Sequence, residues 1–89
     1  MLNKDDKVFA QIKKILAGSE FSCQPDDITE NANLRDDLGL DSIDHVELAM
    51  LIEETLSIED ITYDEMDGLA NVEELVEMVR KKKPVGKRG

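Results

Sequence analysis

Apolar residues recur along the chain at helical spacing, and polar or turn-forming residues divide them into separate helices. Val8, Phe9, Ile12, Ile15 and Leu16 form one stripe. Asn3 suits its N-cap, Asp5 and Asp6 its opening turn, and Gly18 a left-handed position after its end. A second pattern, Ile43, Val46, Met50 and Leu51 widened by Leu48, Ala49 and Ile52, predicts a helix from Ser42 to Leu56 capped by Asp41. A short third helix is expected over Tyr63 to Asp67, ended by Gly68. Asn71 with the acidic Glu74 three residues on marks the start of a fourth at Val72, with Val72, Leu75, Val76 and Val79 on its buried face. Arg80 to Lys83 suit the negative end of that helix, and Pro84 prevents its continuation.

Between the first two helices runs a connection from about Glu20 to Leu40, long for a small domain. Phe21, Ile28, Leu34, Leu38 and Leu40 are expected to pin it across the core, with a short turn after Asn33. The predicted fold is all-α: a small antiparallel four-helix bundle, three main helices plus a short third, with the long connection between helices 1 and 2. Residues 1–83 are expected to form this one domain, with 84–89 a flexible basic tail.

Composition narrows the function. A chain of 89 residues supports one modest core, and with 3% aromatic residues that core rests on Leu, Ile, Val and Met. All 21 acidic residues but only five of the 11 basic ones precede Arg80, so residues 1–79 carry a net charge of −16. Such a body repels nucleic acid and anionic membrane, and attracts proteins that present Lys and Arg. No continuous apolar stretch stands near the N-terminus or approaches the length of a bilayer span. The single Cys23 cannot form an internal disulfide, so the cytoplasm is the expected compartment. A monomer without membrane insertion is expected as well.

Ser42 stands where the long connection turns into the second helix, in the run Asp37-Leu38-Gly39-Leu40-Asp41-Ser42-Ile43-Asp44. With Asp41 as the cap, the Ser42 hydroxyl is expected in the exposed first turn, within the positive end field of the helix. Gly39 is expected to allow close backbone approach. An anion esterified to Ser42 would meet that field and the free N–H groups of the turn.

This run, with Val46-Glu47-Leu48 and Glu53-Glu54 after it, closely resembles the attachment motif of acyl carrier proteins, and the resemblance spans roughly Val8 to Arg80. It implies a carrier without catalytic residues. Ser42, flanked by Gly39 and Asp41, would receive 4′-phosphopantetheine from coenzyme A through a Mg²⁺-dependent phosphopantetheinyl transferase. Acyl groups would ride as thioesters on that arm and be presented to enzymes of fatty acid or related lipid biosynthesis. Asp44, Glu47, Glu53 and Glu54 would form the docking face for basic patches on those acyl-transferring and chain-elongating enzymes. Val46, Met50, Leu51, Ile61, Leu69 and Leu75 read as core that could part to take an acyl chain. Leu40 and Ile43 depart from the usual fatty acid synthesis pattern, as does the Leu56 to Ile61 connection, which leaves a specialised polyketide or peptide pathway as an alternative.

A different class, a non-covalent acidic interaction or Ca²⁺-binding module, meets the loop pattern poorly. Starting at Asp36, Leu38 falls where an oxygen ligand belongs and Asp41 where Gly does; starting at Asp60, Glu65 replaces that Gly. No metal site is expected. Ser42 and His45 with Asp41 and Asp44 do not compose a hydrolase, because no pocket or orienting group accompanies them. His45 is expected to be a solvated residue beside the arm, and Cys23 a small residue of the connection.

Overall fold

A computed structural model of the protein describes residues 7–82. They form four α-helices: α1 (Lys7–Ala17), α2 (Ser42–Leu56), α3 (Tyr63–Asp67) and α4 (Val72–Arg80), with a single 3-10 turn at Pro25–Asp27. Among the described residues there is no strand, only an isolated antiparallel bridge between Asn33 and Asn71. The expected cap at Asn3, the acids Asp5 and Asp6, and the tail 84–89 lie outside the described residues.

Each of the last three helices starts where a polar side chain takes up a free N–H of its first turn. Asp41 Oδ1 accepts from Asp44 N–H at 2.9 Å, and Asp44 Oδ2 accepts in return from Asp41 N–H at 3.2 Å. Thr62 and Glu65 make the same reciprocal box at α3, and Asn71 Oδ1 accepts from Glu74 N–H at 2.9 Å at α4. Such caps each contribute about 1 kcal/mol, which matters most for the five-residue α3. α2 ends at Ser57, whose φ of 55° turns the chain out of the helix. At the end of α1 Gly18 is not in the left-handed region, against expectation. Ser22 takes a positive φ four residues later, while a Cβ on Gly18 would sit 3.2 Å from the Ile15 carbonyl oxygen.

The core gathers Ile12 and Leu16 from α1, Leu48, Ala49 and Ile52 from α2, Met66 from α3, and Val72, Leu75, Val76 and Val79 from α4. The long connection joins it through Ile28, Ala32, Leu34 and Leu40, with Phe21 and Leu38 packed against the edge. Burying a large aliphatic side chain stabilises by about 1.5–3 kcal/mol, so this segment is structural rather than slack. Its backbone is tied too. Leu34 N–H donates to Ala70 O, Val72 N–H to Ala32 O, and Glu73 N–H to Glu30 O, stitching the connection to the start of α4. The turn after Asn33 is held by Asn33 Oδ1, which accepts from both Arg35 and Asp36 N–H.

α2 carries two interleaved stripes, and the structure buries the one that contains a histidine. His45, Leu48, Ala49 and Ile52, at i, i+3, i+4 and i+7, face the core. Ile43, Val46 and Met50, at i, i+3 and i+7, are 70, 44 and 60% exposed. The expectation that Val46 and Met50 lie in the core is therefore corrected. A helix lying on one core buries only one side, and the small Ala49 lies on the side that is buried.

Candidate functional site

Ser42 is the first residue of α2 and is exposed. The preceding turn is set by Gly39, whose φ of +71° favours glycine, and by Leu40, which is buried and donates its N–H to Leu34 O at 2.9 Å. Nothing lies within 4 Å of where a Cβ on Gly39 would stand, so its part is the backbone turn and not the close approach expected of it. With Leu40 anchored inside and Asp41 capping, the serine is delivered to the surface at a fixed angle. The phenol of Tyr63, the first residue of α3, donates to Ser42 Oγ at 3.3 Å. The helix end field favours an anion at this oxygen, whereas the Asp41 and Asp44 carboxylates oppose one. Both carboxylates are already engaged by backbone N–H groups in the capping box.

His45 is the main departure from expectation. It is fully buried, not solvated, and neither ring nitrogen has a hydrogen-bond partner. Burial, reinforced by the Arg35 guanidinium, lowers its pKa from 6.5, and the carboxylates of Asp67, Asp44 and Asp41 pull the other way. A sealed neutral imidazole with its neighbours at 48, 49 and 52 serves packing, not proton transfer to Ser42. Cys23 is half-buried with Sγ 4.0 Å from Leu38 O, and burial, then Asp44 and Asp27, push its thiol pKa up. A thiol so disposed is a poor nucleophile.

The acidic residues divide by role. Asp44 is spent on the cap, and Glu53 Oε2 accepts from Ile61 N–H at 3.0 Å, holding the α2–α3 link. Glu47 and Glu54 are exposed and, with Glu20, rim a groove of about 190 Å³ floored by Met50 and Leu51. Of the residues expected to part for a chain, Leu75 is in the core, while Leu51, Ile61 and Leu69 are half-buried. A second hollow of about 400 Å³ lies in the long connection, lined by Asp26, Asp27, Thr29, Asn31, Ala32 and Asp37. Among the described residues no group of three or more His, Cys, Asp or Glu is arranged to hold a metal ion. No helix among them is long and apolar enough to cross a membrane.

Two site features were not foreseen from sequence: Tyr63 beside Ser42, and the exposed apolar stripe Ile43, Val46 and Met50 running away from it. The stripe itself was legible as the helical spacing of α2; its exposure was not. Tyr63 was not, because 21 residues separate it from Ser42 and only the fold joins them.

Comparison with known proteins places the chain in a family. A family model described as the phosphopantetheine attachment site matches residues 10–79. The chain belongs to the acyl carrier protein family. It is 43% identical over 76 residues to the mitochondrial acyl carrier protein of Neurospora crassa, covering 85% of this chain and 56% of that protein. It is 40% identical over 75 residues to the acyl carrier protein of Desulforapulum autotrophicum, covering 84% and 96%, and 38% identical over 69 residues to that of Zymomonas mobilis, covering 78% and 86%. The chain thus spans little more than half the Neurospora protein and nearly all of the Desulforapulum one. Its prosthetic group is 4′-phosphopantetheine, and an acyl carrier protein is a carrier that works with partner enzymes, not an enzyme. An exposed hydroxyl on a fixed helix end, with a neutral donor beside it, fits a phosphodiester root.

Proposed function

We propose that Ser42 is the residue that bears 4′-phosphopantetheine, and that the chain carries acyl intermediates of fatty acid or related lipid biosynthesis on it. The observation that carries this reading is the exposed Ser42 hydroxyl at the capped start of α2, inside the run Asp41-Ser42-Ile43-Asp44. The terminal thiol of the arm supplies thioester chemistry, for which Cys23, with its raised pKa, is no substitute. Residues of the chain do the rest: they hold the root of the arm, keep it in solvent and offer a face to partners. Incubation with coenzyme A, Mg²⁺ and a broad phosphopantetheinyl transferase adds one phosphopantetheine by mass. Ser42→Ala removes the gain; a gain that persists in Ser42→Ala refutes the assignment.

Docking is best supported on the outer side of α2. Ile43, Val46 and Met50 present apolar area next to Ser42, flanked by the free carboxylates of Glu47 and Glu54. Partners with basic patches would be steered by the acids and seated on the apolar stripe, giving fast and reversible contact to a monomeric carrier. Asp44 and Glu53 belong to this face by position but are engaged in structural bonds. Acyl chains that enter between helices would bury methylenes at about 0.8 kcal/mol each against Leu51, Ile61, Leu69 and Leu75. The cytoplasm is the compartment this reading favours, on the single unpaired cysteine and the acidic body.

A further inference from the structure

We propose that Tyr63 binds the phosphodiester at the root of the arm, so that α3 as well as α2 holds the prosthetic group. This rests on Ser42 being the attachment residue. The phenol oxygen lies 3.3 Å from Ser42 Oγ, the atom that becomes the ester oxygen. The non-bridging phosphate oxygens stand two bonds beyond Oγ, across the phosphorus, and carry the negative charge. The phenol O–H therefore needs only a small swing to leave a weak neutral acceptor for a charged one, at roughly 2.5–2.7 Å.

The donor is held in place. Tyr63 is 46% exposed, and its phenol oxygen faces the serine. Its helix is fixed at four points: the Thr62–Glu65 box, the wholly buried Met66, the Asp67 carboxylate on Arg35, and Glu65 on Lys82. The charged groups around Ser42 cannot do the same work. Asp41 and Asp44 are acceptors only and repel a phosphate, and Arg35 is engaged by Asp67. A phenol supplies a donor to the anion without adding a cation to an otherwise acidic docking face. In consequence the arm leaves the protein from between α2 and α3, along a direction set by both helices.

The chain contains one tyrosine and no tryptophan, and a single phosphopantetheine brings a single phosphorus, so both partners can be watched without overlap. Full-length wild type and Tyr63→Phe are loaded with coenzyme A, Mg²⁺ and transferase, and one added arm on each is verified by mass. Failure of wild type to load, or loading that survives Ser42→Ala, strikes the attachment assignment, and the role of Tyr63 falls with it; the phosphorus and ring measurements on loaded protein test Tyr63 alone. On the loaded proteins, ³¹P NMR is expected to give a displaced and narrower phosphorus line in Tyr63→Phe, reporting a lost hydrogen bond and a freer phosphate. In wild type the tyrosine ring resonances are expected to move between the unloaded and loaded forms. Equal ³¹P shift and relaxation in the two loaded proteins, or ring resonances indifferent to loading, overturns the proposal. Tyr63→Phe retains the ring, and the wild-type ring measurement stands without the variant.

Discussion

His45 follows Ser42 by one helical turn on α2, yet its imidazole is sealed in the core while the serine hydroxyl stands in solvent. Burial first, then Arg35, lowers the histidine pKa below 6.5 against the opposing pull of Asp67, Asp44 and Asp41. A base with a depressed native pKa stays neutral in the fold while the unfolded chain binds a proton. Stability contributed this way is complete above about pH 6.5 and declines as pH falls toward the native pKa, with a slope of at most about 1.4 kcal/mol per pH unit. The urea midpoint is therefore expected to fall between about pH 7 and pH 5.5, ahead of carboxylate titration. His45→Leu, which removes two unpaired ring nitrogens, is expected to flatten that fall and to raise the unfolding free energy at neutral pH by about 1–3 kcal/mol. An unchanged pH slope in His45→Leu would show that another group, not His45, sets the fall.

Leu34 tests whether the long connection is part of the core. It is wholly buried, 18 residues beyond Leu16, the last buried residue of α1, and its N–H and C=O pair with Ala70 and Leu40. Leu34→Ala is expected to cost about 2–5 kcal/mol, a large fraction of the stability of a domain this small. Thermal melting by circular dichroism reads it directly. A loss under about 1 kcal/mol, the size of a surface change, would mean that the connection is only draped over the helices.

The starts of α2, α3 and α4 were legible in the sequence because capping is local: Asp41 and Asn71 bond N–H groups three residues on, and the spacing survives in one dimension. The fold class followed from those starts and from the stripes of α1 and α4. The inward face of α2 did not. Stripes 43/46/50 and 45/48/49/52 both have helical period, and read along the segment they merge into one broad apolar face with His45 left to solvent. Only packing against the other helices decides between them, and packing is not a property of the segment alone. For the same reason Asn33 was readable as a turn residue but not as a bridge partner of Asn71, and Glu53 looked like a docking acid although it holds Ile61 N–H. Of the site, Ser42 and its cap were readable; Tyr63 required the tertiary fold.

Glu65 and Lys82 fasten α3 to the end of α4. Lys82 Nζ donates to Glu65 Oε1 and Oε2 at 2.7 Å and to Asp60 O at 2.7 Å. Hydrogen bonding from Lys82, then from Thr62 N–H, lowers the Glu65 pKa from 4.5. An acid with a depressed native pKa stabilises above its unfolded value and loses that contribution as pH falls through the native one. Glu65→Ala is therefore expected to lower the melting temperature at pH 7, by an equivalent of about 1 kcal/mol, with the gap to wild type closing well below pH 4.5. A gap that stays constant to low pH would assign the loss to packing instead of the ion pair and cap.

The acids of α2 separate steering from structure. Glu47 and Glu54 are exposed and carry no structural bond that fixes the fold, whereas Glu53 accepts from Ile61 N–H in the link to α3. Long-range attraction depends on charge, not on a particular contact, so reversing Glu47 and Glu54 to Lys should slow association with a transferase by roughly tenfold at low salt. It should also flatten the ionic-strength dependence and leave melting within about 0.5 kcal/mol of wild type. Met50→Ser should instead speed dissociation, because the apolar stripe acts after encounter. Glu53→Ala should do the reverse of the charge swaps: a loss of about 1 kcal/mol in stability with a smaller change in association. Stopped-flow association at several salt concentrations, paired with melting curves, distinguishes the three. Equal association rates for wild type and the Glu47/Glu54 reversal would move the docking face off α2, while a large kinetic effect of Glu53→Ala without destabilisation would return that residue to it.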